Sequence, residues 1–171
     1  MTFLTDFNTA TPQTLSPRLI PAGTIAKVIL KIHAGNYGTE GWLTHNERTG
    51  SIYLDTELTI TEGPYARRKI FHLIGIEGSK RNSEGEDVWR QAGRTMIRSI
   101  LEAAHNIHPN DESERANKLR KVANVGDING LEFAIKIGIE NERAGYSSKN
   151  RVSLIITPDH SQYKEIMKII Q

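Results

Sequence analysis

A chain of 171 residues, 37% hydrophobic and 25% charged, fits one domain better than two, because two would each be unusually small. No apolar run approaches the ~20 residues of a membrane span, and the absence of cysteine excludes disulfides and thiolate chemistry. With a net charge of +2 and a pI of about 8.9, any attraction for polyanions must come from local clustering of cations.

The opening "MTFLTDFNTATPQ" lacks the basic start and apolar centre of a secretory signal, so a cytoplasmic location is expected. Residues 1–23 read as an extended arm ending at the turn Pro21-Ala22-Gly23, and a single domain is expected over 24–171. In "TIAKVILKIH" Ala26, Val28, Leu30 and Ile32 share one face of a strand, while Lys27 and Lys31 share the other with Ile25 and Ile29. The glycine-rich stretch "AGNYGTEGWLTHNERTG" then reads as a long loop carrying Tyr37, Trp42 and Arg48.

A second strand, "SIYLDTELTI", turns Ile52, Leu54, Leu58 and Ile60 inward and Tyr53, Asp55, Glu57 and Thr59 outward. The turn "TEGPYA" leads into a third strand from Arg68 to Ile74, so that Arg67, Arg68 and Lys69 crowd its entrance. Helical spacing follows near 86–106, with Trp89, Ala92, Met96, Ile100 and Ala104 as its apolar stripe and Arg90, Arg94 and Arg98 as a solvated edge. A second helix is expected near 111–124, capped by Asp111 with Glu114 closing the box. "NGLEFAIKIGIEN" returns to strand period, and the loop "NERAGYSSKN" joins it to a last strand, "RVSLIIT". Pro158 suits the first turn of a terminal helix near 158–170.

This order predicts a mainly β fold of the α+β class: a five-stranded OB-like Greek-key barrel, with a helical insertion between strands three and four and a C-terminal helix. OB barrels bind oligonucleotides on the face around strands two and three, between the first and last loops. Single-strand binders need cations along the phosphates and aromatic faces under the bases. The candidate cations are Lys27, Lys31, Arg48, Arg67, Arg68, Lys69, Arg143, Lys149 and Arg151. The candidate stacking groups are Tyr37, Trp42, Tyr53, Tyr146, and either Phe71 or His72, of which His72 joins the expected site. Trp42 serves equally well as a lid over the barrel end.

Enzyme readings find little support. His105, His108 and Asp111 lack a firm third-ligand spacing. In "TPDHSQYKEIMK" the carboxylates and lysine fall on a helix rather than on the adjoining strands that a metal-dependent nuclease uses. No phosphate loop or nucleophile elbow occurs. No catalytic residue, metal or cofactor is therefore expected.

Through "FNTATPQ", "LIPAGT", "GWLT", "YLDTELTITEGPYARRKIF", "GRTMIRSILEAAHNIHP", "INGLEFAIKIGIE" and "ITPDH", the chain resembles a family of phage and prophage proteins. That family is catalogued as a domain of unknown function and regarded as single-stranded DNA-binding proteins of replication and recombination modules. The resemblance implies an OB-like fold, DNA binding without catalysis, a bacterial host cytoplasm, and phage replication or recombination proteins as partners. One departure is the ending "YKEIMKIIQ", which is helical in pattern and mildly basic where housekeeping single-strand binders carry an acidic tail. Its apolar side, Ile166, Ile169 and Ile170, is expected to pack on the barrel or, in a homo-oligomer, on a second subunit. The competing reading is a protein-binding adaptor on the same scaffold, and a weaker third is a metal-assisted nuclease.

Overall fold

The computed structural model describes residues 6–13, 18–141, 144–145 and 147–169. Alternating apolar positions form strands wherever one face finds a core. In chain order the elements are β1 (Ile25–Ile32), β2 (Thr44–His45), β3 (Ile52–Ile60), β4 (Lys69–Glu77), α1 (Val88–His105), α2 (Glu114–Leu119), a 3₁₀ turn (Val125–Ile128), β5 (Glu132–Glu140), β6 (Lys149–Ile156) and α3 (Tyr163–Ile166). The result is a six-stranded sheet with a few helices, an α+β arrangement in which every pairing is antiparallel.

At the centre β1 lies between β3 and β5; β4 pairs with β3, and β6 with β5. Val28 stands opposite Ile60 and Phe133, and Leu30 opposite Leu58, so these inward side chains meet in one core with Leu54, Ile70, Ile74 and Ile135. The expected closed barrel of five strands is not what forms. β4 and β6 approach within 8 Å at Cα, but no ladder joins them, and both strands pack against α1 instead. The sixth strand, β2, hides in the glycine-rich loop, where Asn36 Oδ1 accepts the His45 N–H at 2.9 Å. Gly35 is required there because a Cβ would stand 1.8 Å from the Leu43 carbonyl oxygen.

Asp87 caps α1 by accepting the Arg90 N–H at 3.0 Å, and its second oxygen accepts the Gly78 N–H at 2.9 Å. The buried side of α1 runs through Gly93, Ile100, Leu101 and Ala103, so the expected stripe is rotated and Ala92 is exposed. The second helix is shorter than 111–124. Asp111 spends its oxygen on the Ser113 N–H, Ser113 becomes the cap, and Arg120 turns back toward α1. The terminal helix is likewise one turn, ended by the left-handed φ of 55° at Lys168. Its Tyr163 hydroxyl donates to the Ala103 carbonyl at 2.5 Å, which fastens it to α1, and Ile166 packs against the core while Ile169 is exposed. Ile170 lies outside the described residues. The inner end of the N-terminal arm belongs to the folded body: Ile20 is buried, and the Asn150 side chain bonds both its N–H and its carbonyl at 2.9 Å. Among the described residues no helix is long and apolar enough to cross a membrane.

Candidate functional site

The outward face of β1, β3 and β4 is laid out by strand register. Ile29 stands opposite Thr59, which stands opposite Lys69; Lys31 opposite Glu57, which faces Phe71. One step on, the His33 N–H bonds the Asp55 carbonyl at 2.8 Å, and Asp55 faces Leu73. Tyr53 follows, between Thr44 of β2 and Gly75 of β4. The sheet thus presents Ile29, Phe71 and Leu73 as exposed apolar groups beside Lys31 and Lys69, with Phe71 the barest at 62% exposure.

Two carboxylates sit in the middle of this surface, and both have basic side chains beside them. His33 holds Asp55 through Nδ1 at 3.5 Å and Glu57 through Nε2 at 3.3 Å, while Lys69 Nζ lies 3.1 Å from the other Glu57 oxygen. The imidazole is also 6.4 Å from the Phe71 ring, centre to centre. Burial of Glu57 pushes its pKa up, but hydrogen bonds from Lys69 and His33 and their charges outweigh burial and hold the carboxyl below its ordinary value. The negative charge of Glu57 is therefore met within the face, chiefly by Lys69. Repulsion of an approaching phosphate is correspondingly reduced.

This balance has a pH signature. A carboxyl depressed in the folded state adds stability above the ordinary glutamate range, about pH 4.3, and that stability is lost as pH falls through the depressed value. Urea denaturation of wild type and Glu57→Gln is expected to show their largest difference near pH ~7 and a much smaller one near pH ~3. A difference that does not change with pH would remove Glu57 from the ion-pair network.

Of the residues expected from sequence, Lys27, Lys31, Lys69 and Tyr53 share this side of the sheet. His72 does not: its strand position is opposite Thr56 on the inward face, where burial lowers its pKa, and Phe71 takes the outward place. Inward pairing of Ile70 with Leu58 and of Ile74 with Leu54 decides that parity. Trp42 is half-buried over the 3₁₀ turn and packs against the core, and a Cβ added at Gly126 would stand only 2.2 Å from its Nε1. Tyr37 stays exposed in the loop, its ring 5.4 Å from that of His45. Arg48 is exposed in the turn before β3. Arg67 is exposed with a left-handed φ of 74°, and Arg68 turns toward the arm to donate to the Arg18 carbonyl at 2.9 Å. On the far wing, Lys149 pairs with Glu140 at 3.7 Å and Arg151 is exposed opposite Gly138. Arg143 and Tyr146 lie outside the described residues. The residues missed from sequence are Ile29, His33 and Leu73, while Phe71 is the sequence alternative to His72; the alternation that marked Lys31 as outward extends directly to His33.

Among the described residues, no three His, Asp or Glu side chains are grouped as a metal ion would need. A comparison with protein-family models finds no match to the chain, and a search of curated proteins finds none significantly similar to it.

Proposed function

We propose that this chain is a non-enzymatic single-stranded DNA-binding protein that lays the strand across the outward face of β1, β3 and β4. The observation that carries the reading is Phe71, an aromatic ring left bare on β4 beside Lys69 and Leu73 of the same strand, with Ile29 and Lys31 on the same face across β3. An aromatic ring exposed beside other apolar groups on one sheet face marks a contact surface, and unstacked bases lie on such rings. Bases stack on Phe71 and phosphates run past Lys27 and Lys31, while Asp55 and Glu57, already engaged, accept hydrogen bonds from base edges. Further support comes from topology: the spatial order β5-β1-β3-β4 is that of a Greek key, as in OB folds that bind oligonucleotides on their second and third strands. A role in phage-type replication or recombination follows from the family resemblance of the sequence.

Fluorescence anisotropy with labelled single-stranded and duplex oligonucleotides tests this at two salt concentrations. The expected result is preference for the single strand, affinity falling with salt, and a loss of about 5- to 150-fold in Phe71→Ala, the worth of one stacked base. No single-strand binding at low salt would overturn the proposal. The same apolar patch with carboxylates at its centre suits a protein partner as the alternative, an adaptor role in which Phe71→Ala abolishes protein capture and DNA is ignored.

A further inference from the structure

Away from the sheet face, α1, the end of β4 and the segment after α2 enclose a cleft of about 860 Å³ whose walls carry Arg90, Arg94, Arg98 and Arg120. Ile97 and Val122 contribute apolar lining. The four guanidinium groups are not equivalent. Arg120 is committed to structure: Nε and Nη2 meet Glu102 Oε2 at 2.9 and 2.8 Å, and Nη1 donates to the Asp111 carbonyl at 2.7 Å. Arg98 spends Nε on Glu102 at 3.3 Å and Nη2 on the Pro109 carbonyl at 3.1 Å, which leaves Nη1 without an acceptor among the described residues. Arg90 and Arg94 are exposed, and among the described residues neither is paired with a carboxylate.

We propose that this cleft is a second phosphate track, which takes the sugar-phosphate backbone of a single strand after it leaves the sheet face. Arg90, Arg94 and Arg98 recur every four residues, so their stems rise along α1 in steps of about 6 Å. That is a linear array of cations, suited to a chain of repeated anions and ill suited to one compact anion. Guanidinium forks match phosphate oxygens in pairs, and the apolar lining accepts sugar edges without competing for the charge. β4 joins the two surfaces: Phe71 and Leu73 belong to the exposed face, and Gly75 and Glu77 of the same strand line the cleft. In a chain of net charge only +2, such a local row is what would hold a polyanion.

This inference rests on the single-strand reading of the sheet face, and oligonucleotide length separates the two. Labelled oligo(dT) of about 5 nucleotides, short for one OB-type face, and of about 20 nucleotides is titrated against wild type, Arg90→Ala/Arg94→Ala and Arg90→Lys/Arg94→Lys over a range of salt. Both arginines are exposed, so the variants retain the fold, which circular dichroism verifies. The expected result is unchanged binding of the short oligonucleotide, and for the long one a salt slope lower by about 1.4 in the alanine variant, two phosphate contacts at about 0.7 each. The lysine variant restores the slope. Equal slopes for wild type and the alanine variant on the long strand would overturn the track and leave the face intact. Wild type that binds neither length would overturn both readings. An oligoglutamate peptide that depends on Arg90 and Arg94 while long DNA does not would assign the cleft to an acidic protein partner and overturn the track.

Discussion

Gly93→Ala is expected to destabilise the protein by about 3 kcal/mol, the upper end for an overpacked core, and to lower Tm by roughly 6–12 °C. Helix propensity alone implies the opposite sign, because alanine inside a helix is favoured over glycine by about 1 kcal/mol. Contact geometry decides against propensity here. A Cβ at Gly93 would stand 1.7 Å from the Gly75 carbonyl oxygen and 2.7 Å from its carbonyl carbon, and backbone cannot swing aside as a side chain tip does. Nor can β4 retreat freely, since Gly75 is paired with Tyr53, and a Cβ at Gly75 would in turn meet the Trp89 carbonyl oxygen at 2.5 Å. Two glycines therefore set the closest approach of helix to sheet. Thermal denaturation of Gly93→Ala beside Ala92→Gly, an exposed neighbour on the same helix, checks the argument. The second variant is expected to lose only about 1 kcal/mol of propensity, and a Tm rise in Gly93→Ala would show that α1 does not seat on β4 as described.

Much of the sheet was legible because alternation is a local property. Val28, Leu30 and Ile32, or Phe133, Ile135 and Ile137, declare their inward face without reference to any partner strand. Long-range geometry was not legible in the same way. In Lys69-Ile70-Phe71-His72-Leu73-Ile74 apolar residues occupy both faces, so only the pairing of Ile70 with Leu58 settles which aromatic is bare. Trp42 carries no local mark of its fit against Gly126, a contact between segments far apart in sequence. β2 is two residues long and leans on the Asn36 side chain, which leaves no periodicity to detect. Barrel closure depends on whether the edges of β4 and β6 meet, and element order does not encode that distance. The same limit applied to α1, where Arg90, Arg94 and Arg98 resemble an ordinary solvated edge until the end of β4 and the segment after α2 are seen to make the opposite walls of a cleft.

Arg120→Ala is expected to cost about 3 kcal/mol, because it strips a buried carboxylate of its better partner. Glu102 is only 3% exposed, and its Oε2 receives Arg98 at 3.3 Å and Arg120 at 2.8 Å. The partners differ in what they hold. Arg98 is 55% exposed at its side chain, where water screens the interaction and takes over when the pair is lost, so Arg98→Ala is expected to cost under about 1 kcal/mol. Arg120 also ties the carbonyls of Asp111 and His108 to α1, at 2.7 and 3.2 Å, and its loss leaves those acceptors short of a donor as well. A double-mutant cycle separates the charge from the rest of the side chain. If the cost is chiefly that of an unpaired buried carboxylate, then Glu102→Leu in the Arg120→Ala background should recover part of the stability in urea denaturation, since an apolar replacement removes the need for a partner. Strict additivity would locate the loss in the carbonyl contacts instead, and the segment after α2, rather than the ion pair, would be what keeps the wall of the arginine cleft in place.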